Sequence, residues 1–133
     1  MWRLGLVLFF TVWLLGCPSV IHIPSTTLVA SDGIDFTRQR LRDVMLLAVA
    51  PSIQDVEITD EYYEYFLNAT TVSLRVFFKN ASRVDVYSNR VLIVWGHGNQ
   101  ILSRLYFSSE DEAKLCADLI WSLREHALAV AVR

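Results

Sequence analysis

The segment "SEDEAKLCADLIWSLREH" constrains the fold of this chain more than any other. Ser109 and Glu112 stand in the S-x-x-E order of a capping box, and Glu110 and Asp111 put negative charge where the helix dipole is positive, so a helix begins here. Ala113, Cys116, Ala117, Ile120, Leu123 and Ala127 recur at helical spacings and fall on one stripe. A helix with one apolar stripe needs a cover, and the apolar segments upstream read mostly as strands. The tail "ALAVAVR" fits either a continuation of the helix or a frayed end.

The strand signals run from residue 56 to residue 107. "VEIT" and "EYYEYFL" are rich in β-branched and aromatic residues, with Asp60 and Glu61 between them as a turn. "TVSLRVFFK" alternates, which places Val72, Leu74, Val76 and Phe78 on a core face and Ser73, Arg75, Phe77 and Lys79 on the other. "RVDVY" and "RVLIVWG" flank Ser88 and Asn89, and "WG" and "QILSRLYF" flank "HGN", so two hairpins follow. "TDEYYEYF" reads as an edge strand with aromatic packing. Leu74, Val76, Phe78, Val84, Val86 and Phe107 are the residues expected under Cys116, Ile120 and Leu123 of the final helix.

Before the strands, "DFTRQRLRDVMLLAVAP" predicts a helix from about Phe36 to Ala50, capped by Asp35 or Thr37 and stopped by Pro51. Leu41, Val44, Met45 and Ala48 share its apolar stripe. Arg38, Arg40 and Arg42 lie two apart and do not form a compact basic patch. The expected fold is therefore α+β: an antiparallel sheet of about six strands, open or partly closed as a barrel, with an N-terminal helix and a C-terminal capping helix.

The first residues follow a different rule. "MWRLGLVLFFTVWLLGC" has a basic start at Arg3 and an apolar run from Leu4 to Leu15, the pattern of a signal peptide and short for a permanent membrane span. "LLGC" resembles the lipobox of bacterial lipoproteins, with Leu14 three positions before Cys17 and the small Gly16 immediately before it. The resemblance implies cleavage before Cys17 and acyl groups on it that fasten the chain to a membrane, each buried methylene adding about 0.8 kcal/mol. Pro18, where an Asp would favour retention in the inner membrane, implies an outer-membrane position facing the periplasm if the source is Gram-negative. An ordinary signal peptide with an incidental cysteine and an uncleaved anchor are the alternatives. Cys116, inside an amphipathic helix, reads as a buried apolar residue and not as a disulfide partner of Cys17.

Residues 17–33, with Pro18 and Pro24 and several Ser and Thr, read as a lipid-anchored tether in which His22 is solvated. The division is then a signal peptide over 1–16, a tether over 17–33 and one domain over 34–133. The triplets at Asn68 and Asn80 fit the glycosylation pattern, and such triplets arise readily by chance.

From Tyr62 to Glu125 the order of hairpin-joined strands and one closing helix resembles the pleckstrin-homology-like barrels. "VFFKNASRVDVYSNRVLIVWG" and "LYFSSEDEAKLCADLIWSL" carry the resemblance. It implies a module that binds peptides, proteins or lipid headgroups.

The formal charge is −2, and losing residues 1–16 removes Arg3 and leaves −3, so no general attraction to nucleic acid is expected. Arg75, Lys79, Arg83 and Arg104 are expected on one side of the sheet, with Asp85 as the opposing charge among neighbouring outward positions. This face suits an envelope protein or an anionic headgroup. A solvated sheet face is the plainer reading. His97 between Gly96 and Gly98 belongs to a hairpin turn, and neither His22 nor His126 has metal-ligand spacing to it. No nucleophile elbow, paired-histidine helix, cysteine–histidine pair or phosphate-binding glycine loop is present, and no cofactor is implied. The expected function is a non-enzymatic interaction module; the alternative is a small-molecule carrier or an enzyme with a cleft the motifs do not reveal.

Overall fold

In chain order the elements of the computed structural model are β1 (Val20–His22), α1 (Leu28–Asp32), α2 (Ile34–Met45), β2 (Ile53–Ile58), β3 (Tyr62–Leu67), β4 (Ser73–Phe77), β5 (Arg83–Tyr87), β6 (Val91–Trp95), β7 (Ile101–Tyr106) and α3 (Glu110–Ala131). The structure describes residues 19–24, 27–68 and 70–132. The signal segment, Cys17 and Pro18 lie outside the described residues.

The strands form two antiparallel sheets, a larger one in the order β1-β5-β6-β7 and a smaller one in the order β2-β3-β4. Among the described residues one isolated bridge, Ala50 to Tyr106, ties the approach to β2 to strand β7, and the sheets do not close into a barrel. The expectation of about six strands is corrected to seven among the described residues. The extra strand is β1, which comes from the segment read as a tether. It adds to the edge of β5, with Val20 opposite Tyr87 and His22 opposite Val86. Strand β3 is also not an edge: it pairs with β2 on one side and β4 on the other.

Helix α3 is the floor on which both sheets and α2 rest. Ser109 accepts a hydrogen bond from the Glu112 backbone N–H at 3.2 Å, the first half of the capping box. Ala113, Cys116, Ala117, Leu119, Ile120, Ser122 and Leu123 are buried on this helix. Against them lie Val84, Val86, Leu92, Val94 and Leu105 of the larger sheet and Val56, Tyr63, Tyr65 and Val76 of the smaller, in one continuous core. Two phenols share that core. Tyr65 Oη pairs with Ser103 Oγ at 3.1 Å, and burial raises the pKa of both Tyr63 and Tyr65, which keeps them neutral.

The N-terminal helix is shorter and differently begun than expected. Gly33, at φ 87°, ends α1 and opens α2, and the Thr37 hydroxyl donates back to the Gly33 carbonyl at 2.6 Å instead of capping an end. Helix α2 stops at Met45, short of Ala50. The residue before a proline is pushed toward extended backbone, and Ala50 is used in the bridge to Tyr106, so the last turn unwinds early. Leu41, Val44, Met45 and Ala48 are buried as the stripe predicts.

Candidate binding surface

The outward face of the larger sheet carries the feature that most resembles a site. On β5 alternation turns Val84 and Val86 inward and Arg83, Asp85 and Tyr87 outward. Strand β6, "VLIVW", has no polar residue to alternate with, so Leu92 and Val94 enter the core while Val91, Ile93 and Trp95 form an apolar spine on the outside. The register sets Arg83 beside Trp95, Asp85 beside Ile93 and Ile93 beside Arg104, with Val91 beside Tyr106. The spine lies low. Val91 is 5% and Ile93 9% exposed, although both point away from the core, while the flanking Ile101 and Tyr106 are 41% and 39% exposed. The result is an open groove of about 310 Å³ lined by Tyr87, Val91, Ile93, Trp95, Ile101 and Tyr106, with Arg104 as its cation.

The charges on this face are unequal. Arg83 Nε donates to Asp85 Oδ2 at 2.8 Å, and its guanidinium stands 5.0 Å from the Trp95 ring centre. Arg83 and Asp85 therefore neutralise each other. Arg104 is exposed and has no ion pair or hydrogen bond among the described residues. The Trp95 indole Nε1 is buried without an acceptor.

The four cations expected on one side of one sheet are divided. The 3₁₀ turn at Phe78–Asn80 separates β4 from β5 and puts them in different sheets, which the run of alternating residues does not disclose. Arg75 belongs to the smaller sheet. Its Nη2 donates to Glu64 Oε1 at 3.0 Å, and its guanidinium lies 4.0 Å from the Tyr62 ring centre. Ser73 Oγ donates to Glu64 Oε2 at 2.8 Å. The Ser73 hydroxyl first, and then Arg75, hold the Glu64 carboxyl below its ordinary pKa, and the bond to Glu64 raises that of Arg75. Glu64 is thus an opposing charge that strand patterning misses. Lys79 lines a separate hollow of about 270 Å³ together with Asp60, Glu61 and Leu128. Arg83 and Arg104 alone share the face with the groove.

His22 is not solvated. Its Nε2 sits 2.7 Å from Asp118 Oδ1, which clips β1 to α3, and the Leu28 backbone N–H donates to Ser122 Oγ at 3.3 Å nearby. Cys116 is fully buried, and burial pushes its thiol pKa well up, so it is a packing residue in the folded chain. His97 is exposed on the 3₁₀ turn joining β6 to β7, where Gly98 and Asn99 take φ of 69° and 61°. Gly96 beside it packs against Leu102, whose Cδ2 would stand 3.0 Å from a Cβ there and would have to shift by a few tenths of an ångström to admit one.

Among the described residues no cluster of three or more His, Cys, Asp or Glu side chains could hold a metal ion, and no helix is long and apolar enough to cross a membrane. The groove residues Tyr87, Ile93, Trp95, Ile101 and Tyr106 were not singled out by sequence. The signal was there in β6, whose failure to alternate requires apolar side chains on both faces. No family model, curated protein or solved structure matches the chain.

Proposed function

We propose that this chain is a bacterial envelope lipoprotein, anchored by acyl groups on Cys17, whose domain is a non-enzymatic interaction module for a protein, a peptide or a lipid headgroup. Its working surface in this reading is the outward face of the larger sheet. The observation that carries the proposal is the groove over Val91 and Ile93, apolar at its base and holding one cation, Arg104, that no described residue neutralises. Two antiparallel sheets with a long C-terminal helix also support a pleckstrin-homology-like reading of the domain, and "LLGC" supports the anchor, with outer-membrane delivery if the source is Gram-negative.

One preparation tests both halves. Protein extracted from membranes is expected to begin at Cys17 with added acyl mass, to show no reactive thiol when folded and to show one per chain, Cys116, when denatured. A second thiol, or a different starting residue, contradicts the anchor. From the same extracts, whatever co-purifies with the wild-type chain is expected to be lost in Arg104→Glu at an unchanged melting temperature. A tightly held metabolite that survives Arg104→Glu contradicts the interaction module and favours a carrier.

A further inference from the structure

We infer that the outward face of the larger sheet rests on the bilayer that holds the chain, with Tyr87, Ile101 and Tyr106 at the interface and Arg104 on anionic headgroups. The inference depends on acylation of Cys17.

Reach is the first argument. Ser19 is fixed to the domain at the β5–β6 hairpin: the Ser88 backbone N–H donates to the Ser19 carbonyl at 2.9 Å, and the Ser19 N–H donates to Ser88 Oγ at 3.3 Å. Only Cys17 and Pro18 separate this point from the lipid. Two residues, fully extended, span about 7 Å. The headgroup layer on one side of a bilayer is about as thick, so the domain cannot stand clear of it.

The second argument decides which surface meets the lipid. Val20 is exposed and pairs with Tyr87, so the first residue beyond Ser19 already belongs to the outward face, and Val91 and Tyr106 pair in turn across β6 and β7. Tyrosine and tryptophan, apolar with a polar tip, favour the depth of the headgroups.

Charge disfavours the competing, end-on approach. The same hairpin reaches the start of α3, where Arg90 Nη1 donates to the Ser108 carbonyl at 3.0 Å, and the first turn of that helix holds Glu110, Asp111 and Glu112. An end-on domain would set Glu110, Asp111 and Glu112 against Arg90 and Lys114, the last paired with Glu110 at 2.7 Å, and so would still turn an acidic balance toward an anionic surface. A face-on domain presents the unpaired Arg104 and the mutually neutralised Arg83 and Asp85.

The test uses the full acylated chain in vesicles of phosphatidylethanolamine and phosphatidylglycerol, with spin labels introduced singly by Ile101→Cys, Tyr106→Cys, Phe66→Cys and Val72→Cys. All four positions are exposed, Val72 among them because β4 begins one residue later and leaves it outside the core face its alternation predicts, and the buried Cys116 stays unlabelled. Labels at Ile101 and Tyr106 are expected to become accessible to oxygen and inaccessible to an aqueous nickel chelate, while those at Phe66 and Val72 remain in water. Arg104→Glu is expected to return the first pair part of the way to the aqueous value, and labels unmoved by it overturn the headgroup contact. Without labels, brominated lipid chains are expected to quench Trp95 and to spare Trp121. If the chain floats with the vesicles while all four labels stay aqueous and Trp95 is unquenched, the face-on placement is wrong and the anchor stands. If the chain does not float, the anchor itself is wrong. Labels shielded from both oxygen and chelate would mean that protein, such as a second copy, covers the face, which also overturns the inference.

Discussion

The two sheets stand on the same helix and use their outward faces differently. On the smaller sheet Glu64 is held by Ser73 and Arg75 and Arg75 lies over Tyr62, so its one cation is paired within the molecule, and Glu57, opposite Glu64 in the register, is the exposed charge left beside them. On the larger sheet the Arg83–Asp85 pair is closed in the same way, but Arg104 is left open beside an apolar groove. A polar group whose partners are internal contributes to the fold, whereas one left facing an apolar hollow is available to something else. The presence of arginines on a sheet therefore says little until their acceptors are known.

The change with the largest expected effect would remove the floor common to both sheets. Ile120 is fully buried on α3, and Ile120→Asp places an unpaired carboxylate in the core, at an expected cost above about 4 kcal/mol. Thermal unfolding followed by circular dichroism should lose its cooperative transition altogether; survival of one sheet would mean that the two have separate cores. A smaller effect is expected from Arg75→Ala, which strips Glu64 of its charged partner and should lower the melting temperature by a few degrees, while Arg104→Ala leaves it unchanged. Equal effects of the two substitutions would erase the contrast between the faces. Smallest is the pH response. Because the folded-state pKa of Glu64 lies below its ordinary value of 4.5, its stabilisation is complete above that pH and is lost as the pH falls through the lower, folded value. Glu64→Gln is expected to flatten this part of the acid limb in melting curves taken below pH 4.5, and a parallel curve would show that the pairing adds nothing.

Much of the fold was legible in local pattern. Six strands, the two hairpins after residue 82 and the capped helix are written in alternation, in turn residues and in Ser109 with Glu112. Strand β1 was not, because three residues that pair with a strand more than sixty positions away have no local signature. The same holds for His22, whose partner Asp118 lies 96 residues on. The division into two sheets was hidden by the 3₁₀ turn at Phe78–Asn80, across which the alternation continues on paper while the chain changes direction. For the binding surface, sequence supplied Arg83 and Arg104 but could not separate them from Arg75 and Lys79, since the separation depends on sheet membership and on Glu64. The apolar spine of β6 was readable in principle, and reading it requires treating a missing alternation as a second buried or partnered face.

The contrast between the faces is tested most directly by a photo-reactive benzoylphenylalanine at Tyr106 and, separately, at Phe66 in cells making the full chain. Both positions are exposed on outward sheet faces. Irradiation is expected to give phospholipid adducts at Tyr106 and none at Phe66. Adducts at Phe66 with none at Tyr106 would place the working surface on the smaller sheet and contradict the account.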